Sequence, residues 1–109
     1  MWLLTTIGFF SVVQKRGESG LTVRARAASD LDRLREKYLP EVSATIPNAG
    51  TDYPFRGTIT HTDFARGLAK MGGDIHYENF KSEGARKMGR KREAVYEKVW
   101  SALFELENE

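Results

Sequence analysis

His61-Thr62-Asp63 and Asp74-Ile75-His76-Tyr77-Glu78 place imidazoles beside carboxylates. Such groups share protons near neutral pH or ligate a divalent metal. A helix predicted between the two clusters, of roughly 11 residues and about 16 Å at 1.5 Å per residue, sets them at opposite ends. They converge only if the chain bends back at Gly72-Gly73. A small metal-dependent hydrolase using His61, Asp63, His76 and Glu78 is therefore the alternative reading, since Asp63 has a simpler place as a first-turn acid. Gly17-Glu18-Ser19-Gly20 lacks the Lys-Ser/Thr ending of a phosphate loop, and no serine lies in a nucleophile-elbow pattern. With no cysteine in the chain, thiolate metal sites, disulfides and cysteine nucleophiles are excluded together. No cofactor is expected, and the reducing cytoplasm is the expected compartment.

The sharper signal is charge. The total is small, 17 Lys plus Arg against 15 Asp plus Glu, but Arg86, Lys87, Arg90, Lys91 and Arg92 set five positive charges within seven residues. They adjoin Tyr77, Phe80 and Lys81. The sheet predicted below adds outward Arg24, Arg26 and Arg56. Lys/Arg clusters near aromatics suit nucleic acid, a nucleotide or an acidic protein surface. Two glycines, Gly84 and Gly89, keep the segment 81–92 from reading as a firm helix. Glu105, Glu107 and Glu109 make the end of the sequence acidic.

Elements must position these groups. In 109 residues, 40% hydrophobic and 29% charged, one globular domain over 1–109 is expected. Folding then buries roughly 65% of the unfolded surface, enough for a core without staples. Residues 5–14 hold Ile7, Phe9, Phe10, Val12 and Val13 and predict a strand buried on both faces. The apolar run 1–13 lacks the basic start and small-residue cleavage motif of a signal peptide. It is also short of the about 20 residues that span a bilayer, so no membrane is expected. A polar loop over 15–20 leads to alternating residues 21–27, with Leu21, Val23, Ala25 and Ala27 on one face and Arg24 and Arg26 on the other.

Ser29 reads as the cap of a helix with Asp30 and Asp32 in its first turn, stopped at Pro40. Residues 41–53 read as a long loop, then Phe55 to Thr60 alternate as a third strand. Thr60 or Thr62 caps a helix ending at Gly72-Gly73. After a short link, residues 74–81, the strongest amphipathic pattern runs from about Arg90 to Leu106. Its rows Val95, Val99, Ala102, Leu106 and Tyr96, Trp100, Phe104 merge into one apolar face. The fold expected is α+β: a two-layer sandwich with a small, mainly antiparallel sheet and helices on one face, in the order β-β-α-β-α-α. Gly8-Phe9-Phe10-Ser11-Val12-Val13 also carries a faint echo of an RNA-recognition strand, although core packing is the expectation for both phenylalanines.

The runs Trp2, Thr5-Thr6-Ile7-Gly8-Phe9-Phe10-Ser11-Val12-Val13-Gln14-Lys15 and Leu21-Thr22-Val23-Arg24-Ala25-Arg26 open a wider pattern. It continues through Asp30-Leu31, Leu34-Arg35, Tyr38-Leu39-Pro40, Asp52-Tyr53, Asn79-Phe80-Lys81, Tyr96 and Val99-Trp100. In these the chain resembles a family of short, uncharacterised bacterial and phage-borne proteins. The resemblance implies no activity and assigns no residue a role. In type, the chain is similar to small cysteine-free phage or mobile-element anti-defence inhibitors, anti-CRISPR proteins among them. The expectation is thus a non-enzymatic binding protein. Its basic surface would engage a nucleic-acid-handling protein complex, nucleic acid or a nucleotide through Arg24, Arg26, Arg56, Tyr77, Lys81, Arg86, Lys87, Arg90, Lys91 and Arg92. A structural oligomerisation module, docking a second copy on Tyr96, Trp100 and Phe104, is the other alternative.

Overall fold

The computed structural model describes residues 1–50 and 52–109. Its elements are β1 (Trp2–Thr5), β2 (Gly8–Val13), β3 (Leu21–Ala25), α1 (Ala28–Lys37), β4 (Phe55–Ile59), α2 (His61–Gly73), α3 (Phe80–Met88) and α4 (Arg90–Leu103), followed by a 3-10 turn, Phe104–Asn108. The architecture is α+β, as expected, with one strand and one helix more than the sequence pattern predicts. The strands form one sheet in the order β1-β2-β3-β4, with β3 antiparallel to both neighbours. Two compact units make up the chain: residues 1–4 with 8–76, and residues 5–7 with 77–109.

The extra strand comes from a turn hidden inside the apolar run. Residues 6 and 7 turn the chain, the Ile7 N–H donates to Thr5 Oγ1 at 3.2 Å, and the Val12 N–H donates to the Met1 carbonyl at 2.8 Å. Gly8 follows because nothing larger passes there. A Cβ at this position would lie 2.7 Å from Asp30 Cγ and 2.8 Å from the Phe10 ring.

Alternation divides the sheet into two faces. Phe10, Val12, Val23 and Ala25 are buried on one, where α1 packs against β2, β3 and β4 and buries Leu31 and Leu34. The helix begins one residue before the predicted cap. Ala27, not Ser29, is the N-cap, and Asp30 serves the sheet. Its carboxylate, 2% exposed, accepts the Phe9 N–H at 2.9 Å and pairs with Arg33. Thr60 rather than Thr62 caps α2, its hydroxyl oxygen accepting the Asp63 N–H at 3.1 Å. Within the same unit, α2 comes so close to Leu39 that a Cβ on Gly67 would fall 1.9 Å from Leu39 Cδ2.

The second unit corrects the reading of residues 74–92. The Asn79 side chain accepts the Ser82 N–H at 2.9 Å and starts a helix, and the basic segment is helical on both sides of Gly89. That residue, at φ +95°, is the break that separates α3 from α4. Phe80 stacks on Tyr96 with ring centroids 5.5 Å apart and planes 8° apart, and the Tyr96 hydroxyl donates to the Thr5 carbonyl at 2.9 Å. Tyr96 is the buried residue of α4. Val95, Trp100, Leu103, Phe104 and Leu106 stay about half exposed, so the merged apolar face is not a core face. Among the described residues no helix is long and apolar enough to cross a membrane.

Asp30→Ala should lower unfolding free energy by about 3 kcal/mol, because it strands the Arg33 charge and the Phe9 donor together. A urea titration followed by circular dichroism reads this directly. In the same assay Gly67→Ala should destabilise by about 1–3 kcal/mol through overpacking against Leu39. Gly72→Ala, where a Cβ meets nothing within 4 Å, should stabilise by about 0.5–1 kcal/mol.

Candidate anion-binding face

The sheet face away from the core gathers side chains that the sequence spreads widely. Register places Ser11 of β2 opposite Arg24 of β3, and Arg24 opposite Arg56 of β4. One row across three strands thus carries a hydroxyl and two guanidiniums. Arg24 Nη2 donates to Ser11 Oγ at 2.6 Å. Its Nε is buried and has no hydrogen-bond acceptor among the described residues.

Over this row lies Tyr53, 5% exposed. The Arg24 guanidinium carbon sits 4.6 Å from its ring centroid and that of Arg26 sits 5.0 Å away. Phe9 adjoins the same ring at 6.4 Å, and Trp2 meets Phe9 edge to face at 5.3 Å. Phe10 is core, as expected, but Phe9 is not: it lies half-buried on the arginine face. Among the described residues no carboxylate pairs with Arg24 or Arg26. Their positive charge is met by an aromatic ring instead.

Tyr53 reaches this position because the preceding loop is tied down. Of residues 41–53, residue 51 lies outside the described residues. Arg35 on α1 donates through Nη2 to the Ser43 carbonyl at 2.7 Å and to Thr45 Oγ1 at 2.6 Å. The segment then runs along β4, with Ile46 and Arg56 exchanging backbone hydrogen bonds of 2.8 and 3.1 Å. The Ala49 N–H closes the loop on the Pro54 carbonyl at 3.0 Å. Sequence reasoning missed Tyr53, Phe9 and Trp2 as members of this face. The available signal was parity, since Phe9 shares strand parity with Ser11, opposite the arginine row.

The basic segment of the second unit is arranged differently. Arg86 and Lys87 both face Glu83, at 2.6 and 3.8 Å; that hydrogen bond and the Glu83 charge raise the Arg86 pKa above its ordinary value. Lys81 pairs with Glu97 and lies 4.7 Å from the Trp100 ring centroid. Arg92 rests on Tyr96 at 5.8 Å, and Tyr77 is half-buried. Arg90 and Lys91 are exposed and have no ion pair among the described residues. Of the five clustered cations, Arg86 and Lys87 thus share the carboxylate of Glu83, while Arg90 and Lys91 face solvent.

The carboxylates beside the histidines have partners of their own. Asp63 pairs with Arg66 at 2.9 Å, the Asp74 carboxylate accepts the Tyr38 hydroxyl at 2.6 Å, and His76 Nδ1 lies 2.8 Å from the Asp74 carbonyl. Among the described residues there is no group of three or more His, Cys, Asp or Glu able to hold a metal ion.

Replacing Tyr53 tests whether its ring organises the arginines. Tyr53→Leu should destabilise by about 2 kcal/mol, from two lost cation–π contacts and the lost ring packing. Tyr53→Phe should retain most of that stability in the same thermal melt. Comparison with protein-family models, with curated proteins and with solved structures finds no match to this chain.

Proposed function

We propose that the chain is a non-enzymatic binding protein that takes a nucleic-acid backbone at the arginine-bearing face of its sheet. The observation that carries this reading is the convergence of Arg24 and Arg26 on Tyr53, with Arg56 opposite Arg24 on the next strand, and with Arg24 and Arg26 unpaired by any carboxylate among the described residues. Like charges on directly opposed strand positions are destabilising. A phosphate between them converts repulsion into charge-assisted hydrogen bonds, and guanidinium forks match its oxygens. The enclosed Nε of Arg24 and the Ser11 hydroxyl belong to the same row. The acids beside the histidines are engaged by Arg66 and Tyr38, which favours binding over proton-transfer chemistry.

Fluorescence anisotropy with labelled DNA and RNA across a salt series tests the reading. Three phosphate contacts predict a log–log slope near −2 on a single strand. The double variant Arg24→Ala/Arg26→Ala should flatten that slope by about 1.4 and weaken binding at least tenfold. Arg90→Ala/Lys91→Ala should leave the slope within about 0.5 of the parent. Absence of binding to both polymers, or a slope carried by Arg90 and Lys91 instead, overturns the proposal.

A further inference from the structure

We infer that the nucleic acid taken by this face is single-stranded and that one of its bases stacks on Trp2; the inference rests on the reading above. Trp2 is the most exposed large hydrophobic residue described, at 72%. An indole in water forgoes the burial that makes tryptophan favourable in a fold, so a fixed, exposed one is a feature with a cost. It is fixed on two sides. The backbone beside it pairs with β2 through the Val12 N–H and the Met1 carbonyl at 2.8 Å. Its ring meets Phe9 at 87°, centroids 5.3 Å apart. Much of the indole surface is therefore open while its position is held.

Trp2, Phe9 and Tyr53 form a continuous aromatic path, with successive centroid separations of 5.3 and 6.4 Å, that ends at the guanidiniums of Arg24 and Arg26. Stacking surface thus lies beside phosphate-binding groups on one face of one unit. A duplex can use only the second of these, because its base faces are hidden in their own stack. Unpaired bases can use both, and every base has a π-face to offer. No hydrogen-bonding side chain is needed at Trp2 for this, so binding there tolerates any sequence.

The test uses the full chain carrying Trp100→Phe, so that Trp2 is the sole indole. A ten-nucleotide single-stranded oligothymidylate and its duplex with oligoadenylate are the two probes. Quenching of Trp2 emission by the single strand, with duplex affinity at least tenfold weaker, is expected. Trp2→Ala should lose about tenfold in single-strand affinity while keeping the parent salt slope, and Trp2→Phe should recover part of that loss. Circular dichroism confirms that both variants fold. Equal affinity for the two probes, or single-strand affinity unchanged in Trp2→Ala, overturns the single-strand inference but leaves backbone binding intact. Loss of the salt slope in the parent overturns both.

Discussion

The buried carboxylate of Asp30 is the constraint from which the sheet and its arginine face follow. At 2% exposure it is the most enclosed acid described, and burial of a charge is tolerated only with full pairing. Arg33 supplies the countercharge from within α1, and the Phe9 N–H supplies a donor from β2. Helix and strand are thereby joined at one residue. Because side chains alternate along a strand, fixing the Phe9 backbone fixes which neighbours enter the core: Phe10 and Val12 go in, while Phe9 and Ser11 go out. A slip of one residue would exchange the two sets. Gly8 belongs to the same arrangement, since the carboxylate comes too close for any Cβ there.

That interaction also explains what a sequence pattern can and cannot disclose. The alternation of Val23, Arg24, Ala25 and Arg26 was legible because one strand's pattern depends only on itself. The row Ser11–Arg24–Arg56 was not, because it depends on the pairing register between strands. The hairpin of β1 and β2 escaped notice because its turn, Thr6-Ile7, is as apolar as the strands it joins. Ordering of the loop after Pro40 was invisible for a similar reason. It rests on Arg35, a residue eight positions before Ser43 that reads as an ordinary exposed helix cation. The helix α3 was hidden by Gly84, whose low propensity is outweighed by a side-chain cap at Asn79 and by the Phe80–Tyr96 stack.

Charge shows the same division between sequence and space. Five positive charges within seven residues are conspicuous in the chain, yet helical spacing brings Glu83 within reach of Arg86 and Lys87. The i, i+3 and i, i+4 geometry of α3 therefore answers part of the charge that the segment accumulates. Arg24, Arg26 and Arg56 are unremarkable as single residues. The antiparallel sheet assembles them on one face, Arg24 opposite Arg56. Density along a chain and density on a surface are different quantities, and only the second meets a ligand.

What lets Arg24 and Arg26 persist without a paired carboxylate among the described residues is Tyr53. Like charges held on one face of a sheet repel. A cation–π contact returns about 0.5–2 kcal/mol, depending on its exposure to solvent. The two that Tyr53 makes favour the arginines where they stand without neutralising them. A carboxylate in the same place would stabilise the empty face more strongly, and would also compete with an arriving phosphate. An aromatic ring holds the arginines in place and leaves their charge available. Tyr53, where an acid could stand, therefore holds Arg24 and Arg26 without neutralising them.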